Sequence, residues 1–257
     1  MTARAAKIVL YAIPMSHPAY AAQLMLAQKR LNHRVRQLPA GLHPLLLRMF
    51  GFEGSTVPAI AVEGRRAQGS LQISRLLDEM AGDPPLFPAD PAHRHRVEAA
   101  ERWGEDVYQP LPRRLFRWAA TVDLGMRTHI ARESRLPLPR LTARVSRPAT
   151  VYFARSDGAD EGAVRADLAA LPGHIDHVDR LIEAKDLDAD PLNAADFQIG
   201  MTSRILMNFP QLRAMFGSRP AAEHALRVCP TFGKDAPFEI PHSWLGEPGR
   251  LRSPARS

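Results

Sequence analysis

The stretch TVPAIAVEGRRAQGSLQISRLL, residues 56–77, decides the reading of the fold. Thr56 to Val62 is short and apolar, with β-branched members, which suits a buried strand. Glu63-Gly64 is a hairpin signal, and Arg65-Arg66-Ala67 reads as a second short strand. From Ser70 onward, Leu71, Ile73, Leu76, Leu77 and Met80 fit a helical stripe better than a strand, with Ser70 as the expected cap.

Working back from this hairpin, Lys7 to Ala12 is a short apolar strand ending at Ile13-Pro14. Ser16-His17-Pro18 has the form of a helix start, since Pro suits a first turn and Ser caps it. A helix is expected from about Ala19 to Arg30, a strand from His33 to Leu38 and a short helix from Leu42 to Phe50. The order is β-α-β-α-β-β-α, and its opening crossover should be parallel and right-handed.

Working forward, Asp83-Pro-Pro-Leu-Phe-Pro88 carries three prolines in six residues and cannot be helix interior. Beyond it the pattern is helical: a helix from Asp90-Pro91 to about Tyr108, one over Leu111 to Ala120, one over Ala163 to Ala184 despite Pro172, one opened by Asn193-Ala-Ala-Asp196, and one over Pro220 to Val228. Pro137, Pro139 and Pro148 cut residues 121–160 into what should be irregular helices, and the chain after Pro230 reads as a surface tail. The expected organisation is an α/β domain at 1–82, a linker at 83–89, an all-helical domain at 90–232 and a Pro/Gly-rich tail at 233–257.

With 257 residues and 45% hydrophobic content, the chain can bury two cores, and no apolar run is long enough for a membrane span. Its N-terminus runs straight into a strand rather than a leader core, so the expected address is the cytoplasm. The single cysteine, Cys229, excludes an internal disulfide and any Cys-x-x-Cys redox centre. A net charge of +7 invites a nucleic-acid reading. The arginines are nevertheless spread among acidic neighbours. The densest spots, Arg113-Arg114 with Arg117 and the tail arginines 250, 252 and 256, lack interleaved aromatics for stacking. Nucleic acid is therefore not an expected partner. His174 and His177 lie three apart on a helix but offer too few ligands for zinc, and no metal site is expected.

Taken together, five landmarks resemble the glutathione-transferase superfamily, and each is weak alone. Leu26-Ala-Gln-Lys-Arg-Leu31 is similar to its "ALAEKGL" stretch, and Thr56-Val57-Pro58-Ala59 to its "VPxL" strand start. Gly69-Ser70-Leu-Gln-Ile73-Ser-Arg-Leu76 is similar to "ES.AILRYL", Pro84-Pro-Leu-Phe-Pro88 to the interdomain linker, and Asn193-Ala-Ala-Asp196-Phe197 to the "TxADF" capping box. The resemblance implies a thioredoxin-like N-terminal domain followed by an all-helical C-terminal domain. It further implies a cytoplasmic homodimer that conjugates glutathione, as co-substrate, to an electrophilic small molecule in detoxification; a non-catalytic binding scaffold on the same fold is the alternative.

The site residues come with the resemblance. Val57 would pair its backbone with the cysteinyl unit of glutathione, next to a cis Pro58. Ser70 would receive the γ-glutamyl carboxylate at a helix N-terminus. Gly69 replaces the family's acidic residue or Gln, which leaves Gln68 as a substitute partner for the ligand's amino group. Ser16 would donate a hydrogen bond to the thiolate; a one-residue shift of register would put His17 there instead. Trp103, Tyr108 and Trp118 are the expected walls of the second-substrate pocket.

Overall fold

The computed structural model describes residues 7–80 and 83–245. Four strands, β1 (Ile8–Ala12), β2 (His33–Gln37), β3 (Ala59–Val62) and β4 (Arg65–Gln68), form one sheet in the order β2-β1-β3-β4. β1 runs parallel to β2 and antiparallel to β3, in the register Leu10 opposite Val35 and Ile60. The two faces follow from the strand period of two. Ile8, Leu10, Ile60 and Val62 face α1 (His17–Gln28) and α3 (Ser70–Met80). Tyr11 and Ala59 face α2 (His43–Met49), against Leu47 and Phe52. Each fully buried aliphatic side chain contributes about 1.5–3 kcal/mol, so a short sheet with a helix layer on each face suffices.

The chain then enters α4 (Pro91–Trp103), which passes through a π-helical turn, Gly104–Tyr108, into α5 (Pro110–Val122). α6 (Leu124–Glu133), α7 (Pro139–Val145), α8 (Arg147–Ser156), α9 (Glu161–Glu183), α10 (Ala194–Leu206), α11 (Pro210–Phe216) and α12 (Pro220–Val228) follow. The architecture is thus a thioredoxin-like α/β layer followed by an all-helical region. α10 is its central helix, with every residue buried except Arg204. Asn193 and Asp196 close a reciprocal capping box at its start. Gly200 lets α10 approach α12, because a Cβ there would lie 2.7 Å from Val228.

Two expectations are corrected. Residues 121–160 hold three regular helices, because Pro139 and Pro148 each sit in the first turn of a helix, where proline is favourable, rather than inside one. The described part of the segment after Pro230 is not a loose surface tail. Ala236 and Ile240 are buried there, and Phe238 and Trp244 pack on Trp118. The tail arginines 250, 252 and 256 lie outside the described residues. The proline-rich segment is pinned from both sides: Leu86 N–H donates to Asp78, and the Leu86 carbonyl accepts from Ala194.

Candidate active-site cleft

β1 stops at Ala12 because Pro14 removes a ladder donor, and Met15 turns the chain with a φ of 63°. Ser16 is the N-cap of α1; its Oγ accepts from Ala19 N–H at 3.3 Å, which leaves the hydroxyl hydrogen free to donate elsewhere. His17, the first residue of the helix, is buried, and its Nε2 has no partner. Burial, helped by the charge of Arg113, holds its pKa down to about 3, so it is neutral near pH 7. Two groups thus stand without a partner at the start of α1, the Ser16 hydroxyl hydrogen and the buried Nε2 of the neutral His17.

Ser16, His17 and Val57 line one cleft of about 270 Å³, faced across by Arg113, Phe116 and Arg117 of α5. The Val57–Pro58 bond is cis. The N–H and C=O of Val57 make no backbone hydrogen bond among the described residues, because β3 begins pairing only at Ala59. Val57 is a half-buried backbone edge with two open valences. Arg117 is pinned by Asp157 at 2.9 Å and by the Phe153 carbonyl at 2.8 Å. Arg113 is exposed at the mouth.

An apolar cavity of about 270 Å³ adjoins the cleft, sharing Ile13, His43, Phe116 and Arg117 with it and reaching Leu136 and Phe153. Residues 121–160, read as irregular helix, thus supply much of this wall. The pattern Pro112, Phe116 on α5 was a legible signal for it; the α8 contribution had none, because Phe153 is ordinary in a helix.

The remaining expected residues are placed differently. Ser70 does not cap α3. It is the first helical residue, and its buried Oγ has no partner. Gln68 is committed elsewhere: its Oε1 accepts from Gly54 N–H at 2.9 Å and its Nε2 donates to the Thr56 carbonyl at 2.7 Å. The N-terminus of α3 is met instead by Glu105, from the π-helical turn, which accepts from Leu71 N–H at 3.2 Å. Its other oxygen lies 3.6 Å from where a Gly69 Cβ would sit, a position whose φ of +86° favours glycine. Burial is the main cause that raises the pKa of Glu105.

Trp103, Tyr108 and Trp118 do not wall the cleft. Trp103 stacks on Tyr108 and meets His177 edge-on, the Tyr108 hydroxyl meets Ser203 at 3.0 Å, and Trp118 packs on Trp244. Tyr108 and Trp118 belong to the core of the helical region and Trp103 packs against it, with the Tyr108 hydroxyl partnered there. His174 and His177 flank Trp103, and no group of three metal-ligating side chains occurs among the described residues. No helix among the described residues is long and apolar enough to cross a membrane.

No family model and no curated protein sequence matches the chain. Solved structures do match it across most of its length. Glutathione transferase F2 from Populus trichocarpa is 18% identical over 86% of this chain and 91% of its own, with a TM-score of 0.57. A glutathione S-transferase from Rhodospirillum rubrum F11 is 18% identical over 92% and 97%, with a TM-score of 0.55. One from Sinorhizobium meliloti 1021 is 17% identical over 86% and 92%, with a TM-score of 0.55.

Proposed function

We propose that this chain, which has the fold of the glutathione transferases, is a transferase-like enzyme that holds glutathione as a thiolate and presents it to an electrophile. The observation that carries the reading is the meeting, in one cleft, of the free Ser16 hydroxyl donor with the unpaired backbone of Val57. A cysteinyl backbone can add to Val57 as a short extra strand. That would bring its sulfur toward the end of α1.

Ser16 donates its hydrogen to the sulfur and forms no covalent bond. A hydrogen bond to a charged group is worth about 1.5–3 kcal/mol, and one pKa unit is about 1.4 kcal/mol. The thiol pKa thus falls by roughly one to two units from about 8.5, assisted by the N-terminus of α1. His17 is neutral and adds no charge, whereas Arg113 adds a positive one at the mouth. The thiolate then attacks an electrophilic carbon in the adjoining apolar cavity; the new C–S bond forms as the leaving group departs with its electron pair. On this reading the protein is a cytoplasmic, detoxifying homodimer, and sedimentation equilibrium measures the dimer directly.

The test is steady-state conjugation of glutathione to an aryl halide across pH. Ser16→Ala should lose turnover roughly ten- to hundred-fold near neutral pH, recovering part of it as pH rises. Stability should fall by only about 0.5–2 kcal/mol for the lost cap. His17→Ala should keep its turnover per folded molecule. The assignment of Ser16 fails if Ser16→Ala matches wild type while His17→Ala is crippled.

A non-catalytic scaffold is the second reading. It is favoured by the commitment of Gln68 and by the carboxylate of Glu105 at the start of α3, where a ligand carboxylate would otherwise bind. Absence of conjugation above the uncatalysed rate in wild type would establish it.

A further inference from the structure

Three elements of the helical region bring cations to one groove that shares no lining residue with the cleft. Arg132 of α6, Arg140 and Arg144 of α7 and Lys234 beyond α12 line a space of about 620 Å³. Arginines elsewhere are commonly paired, as Arg114 is with Asp167 and Arg219 with Asp179. None of these four cations has an acidic partner among the described residues. Asp235, the carboxylate in the lining, is already taken by Arg213. His129 adds a buried Nε2 that lacks a partner.

Arg140 and Arg144 stand one helical turn apart, where like charges repel. The fold holds all four charges around one concavity whose carboxylate, Asp235, is paired with Arg213. Such a groove focuses positive potential and gains most from an anion that meets several charges at once. Arginine forks match the oxygens of a phosphate group in bidentate fashion. A single inorganic phosphate would leave most of the volume empty, and the size falls within the usual range for small-molecule sites. Among the described residues no Phe, Tyr or Trp lines the groove, so a stacked nucleic-acid strand lacks a broad platform.

We propose that this groove is a binding site for a small molecule carrying two or more phosphate groups, with Arg132, Arg140, Arg144 and Lys234 as its charge partners and His129 as a hydrogen-bonding group. The site is independent of thiol chemistry in the cleft.

The experiment is calorimetric titration of the full chain with tripolyphosphate, alongside inorganic phosphate and vesicles of phosphatidylcholine with and without phosphatidylglycerol. Wild type should bind tripolyphosphate at one site per chain, more tightly than phosphate, with affinity falling steeply in salt. R132Q/R140Q/R144Q should bind it roughly a hundredfold more weakly, at about 1 kcal/mol per exposed contact. A control that removes three other exposed charges, R34Q/R48Q/R102Q, should bind within about threefold of wild type. Melting curves without ligand confirm that both triples fold. The ligand should raise the wild-type Tm and leave that of R132Q/R140Q/R144Q unmoved. Equal weakening in both triples would reduce the effect to net charge and overturn the proposal. So would absence of binding, or vesicle binding that tripolyphosphate does not displace, which would make the groove a lipid-surface contact.

Discussion

Gly69 stands where the resembled family carries an acidic residue or Gln, and Glu105 brings a carboxylate back to the same place from another element. The bond joins residues 34 positions apart, which no spacing in the sequence announces. Ser16 and Val57 came with the family resemblance, and the local signals beside them were a helix start at Ser16 and the Val57–Pro58 step before β3. If Glu105 serves as partner to the ligand's amino group, Glu105→Gln should weaken glutathione binding about tenfold, the low end for a charge-assisted bond at a half-buried site. It should leave an analogue lacking the α-amino group unaffected. Because burial raises the Glu105 pKa, wild-type affinity should decline with falling pH earlier than an ordinary carboxylate would allow. Calorimetry on both ligands checks this. Tighter binding of both by the variant would mean that Glu105 blocks the helix terminus, and would favour the scaffold.

Among the elements, α10 ties the structure together. Asp196 is fully buried and accepts from Asn193 N–H at 2.7 Å, Asp188 N–H at 2.6 Å and His224 Nε2 at 2.8 Å. Removing the carboxylate leaves three donors facing no acceptor, and each buried donor left unsatisfied costs about 1–3 kcal/mol. Removing Asn193 loses one cap, about 0.5–2 kcal/mol. Asp196→Ala should therefore lower the urea midpoint far more than Asn193→Ala. Equal effects would mean that His224 and Asp188 contribute nothing to the carboxylate's role. This capping box was plain in the sequence, because Asn193 and Asp196 have the required spacing and an apolar run follows. The helices of residues 121–160 were not plain. A proline in a first turn and a proline that ends a helix look alike until the packing of Ala143 and Ala154 decides between them.

At the scale of the molecule, sheet and helices meet through buried polar groups whose titrations oppose each other. Glu101 of α4 is buried against Arg75 and Ser74 of α3, at 2.5 Å and 2.6 Å, and burial still pushes its pKa from 4.5 up to about 7. His17, by the cleft, is driven down from 6.5 to about 3. The folded state binds the Glu101 proton more tightly than the unfolded chain does. That contribution is complete below about pH 4.5 and is lost as pH rises through about 7. For His17 the unfolded chain binds the proton more tightly. Its contribution is complete above about pH 6.5 and is lost as pH falls toward 3. Between pH 8 and pH 5 each amounts to about 2 kcal/mol, of opposite sign, so the two nearly cancel in wild type. Neither pKa was readable from composition, since both arise from burial between elements distant in sequence. Glu101→Gln should expose the His17 slope: its Tm should fall relative to wild type by roughly 4–8 °C on going from pH 8 to pH 5. His17→Gln should expose the Glu101 slope and rise relative to wild type over the same interval. Taking differences from wild type removes every titration that the three proteins share. Thermal melts at four pH values decide the matter: lines parallel to wild type for both variants would show that neither group's protonation is coupled to folding.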